Sequence, residues 1–169
     1  MTRGKVQVEN VNPYHLTAVI AKLEEAGCTI DVTGNCITIE MDDAPRPTDI
    51  TTATYPGFPT DSQAQWIAFM MLATGSSRIT DTIYHTRFHH VPELQRLGAK
   101  IEMAENSAIV QGGAPLSGAH VMSADLRASA SLILGALVAE GRSEILRVYH
   151  LDRGYEAIET KLQGLGASI

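Results

Sequence analysis

The sequence is short of several things that would define a function directly. Only two of its 169 residues are cysteine. Cys28 and Cys36 flank Thr33-Gly34-Asn35, with no CxxC pair and no third thiol, which excludes a disulfide framework and a thiolate zinc site. Both read as small packed hydrophobes rather than nucleophiles. Apolar runs are short: Leu132–Val138, among the longest, falls far below the ~20 residues needed to cross a bilayer. The opening MTRGKVQVEN has no signal-like segment, so the expected compartment is the cytoplasm, without a membrane partner. Positive charge is scarce, 13 Lys plus Arg against 19 Asp plus Glu for a net charge of -6. That balance argues against a nucleic-acid binder but leaves room for a small-anion site, which needs only a few cations in one place. GxGxxG, GxxxxGK[ST] and GxSxG are all missing, so neither a nucleotide loop nor a nucleophile elbow is supported.

What remains is 44% hydrophobic and 19% charged, with aromatics at only 5%. This is the composition of a globular protein, and the length suits one domain with a single sizeable core.

The strongest pattern is repetition. Leu16, Val19, Ile20 and Leu23 mark one face of an amphipathic helix that ends at Gly27, as a left-handed cap requires. Val91, Leu94 and Leu97 precede Gly98 in the same way, and Tyr155, Ile158, Leu162 and Leu165 precede Gly166. Strand-like residues follow each glycine: CTIDV, AKIEM and ASI. Two further segments, Ala64–Gly75 and Ala130–Gly141, are apolar nearly all round and predict helices buried on every side. Each leads into a strand candidate, ending in His85 and His150 respectively. Cys36–Met41 and Ser107–Gly112 supply hairpin partners, and Thr48–Thr54 reads as a strand within a long connection. The predicted fold is α/β: repeated βαβ-type units, with buried inner helices surrounded by sheet and outer amphipathic helices. Residues 1–169 hold about two and a half such repeats in one domain. The first unit lacks its inner helix and the last stops after Ala167-Ser168-Ile169, so the chain reads as cut at both ends.

Chemistry is expected near the helix starts. Arg87, Arg127 and Arg153 stand just before or inside a predicted first turn, where the helix dipole disfavours a cation unless an anion offsets it. Backbone N–H groups and a guanidinium fork together suit a phosphate or carboxylate. Local pairing is the simpler alternative, because Asp125 and Asp152 lie close by, and both fit N-cap positions. Asp61 in FPTDSQAQ could act as a general base or bind a substrate hydroxyl. Thr60-Asp61-Ser62-Gln63 also fits a capping box, which by pattern alone is the better account. His85 and His89 have the spacing of a metal pair, but no HExxH motif surrounds them and no metal site is assigned.

Four motifs, FPTDSQAQ (58–65), RFHHVPELQRLGA (87–99), SADLRASASLILGALVAEG (123–141) and YHLDRGYEAIETKLQGLGA (149–167), resemble the UDP-N-acetylglucosamine enolpyruvyl transferases, in order and over essentially the whole chain. The resemblance implies a protein of two similar domains, each of three repeats, closing over substrate in the bacterial cytoplasm. It implies transfer of the enolpyruvyl group of phosphoenolpyruvate to the 3-hydroxyl of UDP-N-acetylglucosamine, with release of phosphate, in peptidoglycan precursor synthesis. No cofactor is called for. Carried over by motif, Asp61 becomes the base at the sugar hydroxyl, and Arg153 the arginine that closes onto phosphoenolpyruvate. Arg127 and Arg87 line the cleft, Asp125 lies near the reacting groups, and the backbone of Ile83 touches the sugar nucleotide. The family's general-acid cysteine belongs to the complementary domain, and neither Cys28 nor Cys36 matches it. On this reading the chain is part of the C-terminal half, inactive alone. The alternatives are a non-catalytic module that pairs with another chain or binds the sugar nucleotide, and two sister families with the same repeats. Those are the shikimate enolpyruvyl transferases and the RNA-end cyclases; the acidic balance counts against RNA.

Overall fold

The structure, a computed structural model, describes residues 1–169. It is an α/β assembly in which one unit recurs. In the first copy, strand β1 (Gly4–Val8) leads into helix α1 (Thr17–Glu25), then the hairpin β2 (Thr29–Thr33) and β3 (Cys36–Met41). The second copy adds a short strand β4 (Ile50–Thr51) and inner helix α2 (Gln63–Met70) ahead of β5 (Ser76–Thr80), helix α3 (Val91–Arg96) and the hairpin β6 (Lys100–Ala104) and β7 (Ser107–Gln111). A third begins with β8 (His120–Met122), inner helix α4 (Leu126–Val138) and β9 (Glu144–Leu146). It continues through α5 (Tyr149–Asp152) to α6 (Ile158–Gly164). The sheets repeat as well: β1-β3-β2 and β5-β7-β6 are antiparallel in the same order, while β4 pairs β5 and β8 pairs β9 in parallel.

Local chemistry accounts for the repeat. α1, α3 and α6 all close with a glycine at positive φ (Gly27, +105°; Gly98, +100°; Gly166, +95°). In each, the residue after the glycine donates its N–H to the carbonyl of a leucine at the last turn: Cys28 to Leu23, Ala99 to Leu94, Ala167 to Leu162. The glycine itself donates to the residue after that leucine. This two-bond cap satisfies carbonyls the helix would otherwise leave unpaired, and it needs a residue without Cβ strain at the turn. The two hairpins close alike, Thr33 opposite Cys36 and Ala104 opposite Ser107 across two-residue loops. The first loop residue has positive φ in both, Gly34 in one and Glu105 in the other.

The core sits around α2, seven of whose eight residues are buried. Ile67, Met70 and Ile79 are wholly enclosed, and Trp66 meets Phe58 and Phe69 edge-on at centroid distances of 5.3 and 5.5 Å. The indole N–H of Trp66 donates to the Thr48 carbonyl at 3.2 Å, so the aromatic's one polar atom is satisfied. Strand alternation places Ile79, Ala108, Val110 and Ile101 against this helix layer.

Several expectations need correction. α4 is buried only along Ala128–Leu132 and Gly135; Leu134, Leu137 and Val138 are half-exposed, because neighbours cover one side of the helix. β5 ends at Thr80 rather than running to His85, since the Asp81 carboxylate accepts the backbone N–H groups of Ile83 and Tyr84 and bends the chain. β9 ends at Leu146, and His150 lies in α5. Within 48–54 the strand is only Ile50–Thr51, followed by an isolated bridge from Thr52 to Phe58. Residues 167–169 form no strand. β1 was not legible in advance, because five exposed or half-exposed residues carry little pattern.

Candidate functional site

Asp61, Arg87 and Arg127 converge. Asp61 lies in the 3-10 turn Thr60–Ser62 that opens α2, Arg127 is the second residue of α4, and Arg87 sits in the loop before α3. Asp61 and Arg127 occupy equivalent seats, since each stands three residues ahead of the alanine that begins the repeated apolar segment, Ala64 or Ala130. The packing of α2 on α4 brings these helix starts together. Arg87 Nη1 donates to Asp61 Oδ1 at 2.9 Å and Arg127 Nη2 to Asp61 Oδ2 at 2.7 Å. One carboxylate thus spends an oxygen on each guanidinium. The Arg127 bond is the main influence on the Asp61 carboxyl, holding it below the ordinary aspartate value; burial opposes this and Arg87 reinforces it. The guanidinium of Arg127 is correspondingly held above its usual value, chiefly by Asp61.

Around this pair the polar groups are interlocked. Arg127 Nη1 donates to the Tyr155 hydroxyl at 3.4 Å, and Gln65 Nε2 donates to the same oxygen at 3.2 Å. Arg87 lies over the Tyr84 ring, 5.1 Å from its centroid. Thr60 does not cap α2. Its hydroxyl donates to Asp81 Oδ2 at 2.7 Å and accepts from Arg87 Nη1 at 3.4 Å, and no side-chain bond caps the helix. The capping-box account of Thr60–Gln63 is therefore set aside: Asp61 faces two arginines, and the Gln63 amide is buried without a partner.

Asp125 does act as a cap. Its Oδ1 accepts from the N–H groups of Arg127 and Ala128 at 2.8 and 2.9 Å, leaving Oδ2 without a protein partner. Asp152 is not an N-cap but the last residue of α5. Arg153 follows it as that helix's C-cap, not at a helix start, and is exposed with no ion pair. Local pairing of arginines with Asp125 or Asp152 does not occur. Ile83 is 39% exposed, on the turn that Asp81 holds. His90, stacked on Phe88, is buried with Nε2 unpartnered, and burial lowers its pKa to about 4. Burial pushes the Cys28 thiol up, as suits a packed side chain. No group of three or more His, Cys, Asp or Glu could hold a metal ion, and no helix is long and apolar enough to cross a membrane.

Sequence reasoning passed over Asp81, Tyr155 and Thr60 as site residues. Asp81 stands between two threonines in a strand-like run, and only the turn it forms reveals it. Tyr155 lies within the motif of residues 149–167, but its hydroxyl acquires meaning only beside Arg127.

Repeated sheet-and-helix units of this order are the architecture of the enolpyruvyl transferase fold. The crystal structure of the enolpyruvyl transferase NikO from Streptomyces tendae superposes with a TM-score of 0.83 at 31% identity, over 90% of this chain and 36% of that one. EPSP synthase from Acinetobacter baumannii shares the fold, with a TM-score of 0.66 at 16% identity over 85% of this chain and 35% of its own. The model of the EPSP synthase (3-phosphoshikimate 1-carboxyvinyltransferase) family matches residues 1–162, and the chain belongs to that family. Among its curated relatives, the UDP-N-acetylglucosamine 1-carboxyvinyltransferase of Chlorobium chlorochromatii is 58% identical over all 169 residues. That of Sorangium cellulosum is 55% identical over 166 residues, 97% of this chain and 39% of its own length. The chain spans 40% of the length of the first of these.

Proposed function

We propose that the chain forms one wall of an active site that transfers the enolpyruvyl group of phosphoenolpyruvate to the 3-hydroxyl of UDP-N-acetylglucosamine, a step of peptidoglycan precursor synthesis in the bacterial cytoplasm. The observation that carries this reading is Asp61 held between Arg87 and Arg127, on a chain 58% identical to enzymes named for that reaction. Residues 1–169 act as one domain of about two and a half repeats, and a complementary domain supplies the other wall.

The chemistry follows from the charges. Addition forms a bond from the sugar 3-oxygen to C2 of phosphoenolpyruvate, while the hydroxyl proton passes to a base and C3 gains a proton from an acid. Elimination then removes a C3 proton and breaks the bond from C2 to the phosphate oxygen. Asp61 is the base: its arginine contacts keep it ionised, and it gains basicity once those arginines turn to substrate. Arg87 and Arg127 hold the phosphate and carboxylate, and Arg153, free of protein partners, joins them as the cleft closes. Charge fixed in advance on the substrate's anionic groups is the largest contribution available to such a site. Asp125, with Oδ2 unpartnered, lies near the reacting groups, and the backbone of Ile83 touches the sugar nucleotide. The acid comes from the complementary domain.

The test is phosphate release from phosphoenolpyruvate plus UDP-N-acetylglucosamine. The 169-residue chain is silent alone and active when the complementary half is added, and Asp61→Asn abolishes that activity. Turnover by the chain alone, or full activity of Asp61→Asn in the reconstituted enzyme, overturns the proposal.

A further inference from the structure

We propose that Asp81 is a positioning residue that sets Asp61 against Arg87. Asp81 is wholly buried, and its carboxylate accepts four hydrogen bonds. Oδ1 takes the Thr52 hydroxyl at 2.8 Å and the N–H groups of Ile83 and Tyr84 at 2.9 Å each; Oδ2 takes the Thr60 hydroxyl at 2.7 Å. These bonds tie together the end of β4, the turn that carries Asp61 and the loop that carries Ile83 and Arg87. They close a ring: Asp81 to Thr60 by hydrogen bond, Thr60 to Asp61 by the peptide bond, Asp61 to Arg87 by ion pair, and Arg87 back to Asp81 along the chain.

The repeat shows that the backbone junction after the strand forms without a carboxylate, although the turn that follows β5 depends on it. At the end of β5, the Asp81 N–H donates to the carbonyl of Asn106, the second residue of the hairpin loop. At the matching junction after β1, the Val11 N–H donates to the carbonyl of Asn35, the second residue of that hairpin loop. An apolar side chain thus serves the same backbone junction in the copy that carries no Asp61. Burying a carboxylate is costly unless it is fully hydrogen-bonded, and here three of the four bonds come from Thr60, Ile83 and Tyr84, which carry or flank the candidate site. Burial alone would raise the Asp81 carboxyl; the bonds from Tyr84, Thr60, Thr52 and Ile83 outweigh it and hold the group below its ordinary value, hence ionised at neutral pH.

What Asp61 does with this placement rests on the proposed function, but the test needs no substrate. The Asp61 side-chain carboxyl is titrated by carbon NMR in the chain and in Asp81→Asn, Thr60→Val and Thr60→Ser, each first checked for native backbone shifts. If Asp81 acts only through its charge, removing it lowers the Asp61 midpoint, because a nearby anion is gone. If Asp81 positions Asp61 and Arg87, their pairing loosens and the midpoint rises, by about half a pH unit or roughly a threefold weaker acid. Thr60→Val changes no charge and is expected to raise it too, while Thr60→Ser restores it. Thr60→Val decides where Asp81→Asn does not fold or the two disagree. An unmoved or lowered midpoint in folded Thr60→Val overturns the positioning role and leaves the proposed function standing. Full activity of Asp61→Asn would do the reverse.

Discussion

Replacing Asp61 by Asn should strengthen the binding of a small anion by the chain. Arg87 and Arg127 are both committed to Asp61, with side chains 27% and 29% exposed against 51% for the aspartate. A ligand that takes both guanidinium groups must first open both pairs. Partly exposed ion pairs are worth about 0.2–1 kcal/mol each after solvent screening. Freeing the two arginines therefore returns about 0.5–2 kcal/mol, a roughly two- to thirtyfold tighter complex. The assay is calorimetric titration of inorganic phosphate into the chain at low ionic strength, with Asp61→Asn and Arg127→Gln in parallel. Asp61→Asn is expected to bind more tightly and Arg127→Gln more weakly, the contrast shrinking as salt shortens the Debye length to ~8 Å. Asp31→Asn, which removes the same charge from the exposed strand β2, controls for net charge. Unchanged or weaker phosphate binding by Asp61→Asn would refute the reasoning: the aspartate would then be organising the arginines rather than occupying them.

Three other outcomes follow from the packing and the titrating groups. Gly98→Ala should cost more than Gly27→Ala in urea unfolding. Both pay ~1 kcal/mol for positive φ, but a Cβ at Gly98 would lie 2.7 Å from the Pro115 carbonyl oxygen, whereas at Gly27 it meets only side-chain atoms at 3.6 Å and beyond; equal losses would contradict the structure. Ile67→Ala, at a position with no exposure, should lose about 2–5 kcal/mol, and a loss under ~1 kcal/mol would mean that α2 is not the core. His90 has a folded pKa of about 4 against 6.5 when unfolded. Between those values the unfolded chain binds the extra proton, so stability falls as pH drops from about 6.5 to about 4, by at most roughly 3 kcal/mol; His90→Gln should flatten the slope, and an unchanged slope would exclude His90 as its source.

The parts legible in the sequence were those set by local rules. A leucine in the last turn, a glycine beyond it and a strand after that specify a cap without reference to the rest of the chain, and all three caps form at the expected glycines. The hairpins and the buried character of α2 were equally readable from a run of residues. Where the reading failed, distant atoms decided. The strand-like run through His85 stops at Thr80 because Thr60 and Thr52 reach a carboxylate that then turns the chain. α4 has the apolar composition of a fully buried helix, but composition does not show how many neighbours it has. Asp61 looked like part of a capping box, since its partner in α4 lies 66 residues away. Arg127 stands at a helix start as expected, whereas the short helix α5 displaces Arg153 to a C-cap.

The ion pair between Asp61 and Arg127 joins the same seat in two copies of one structural unit. Identical copies would set like charges face to face at that seat, replacing an attraction of about 0.2–1 kcal/mol with a repulsion of similar size. Opposite charges suit the seat to two unlike copies: a pairing of the second copy with itself would bring two aspartates together. The site's electrostatics thus also favour unlike neighbours at this one junction.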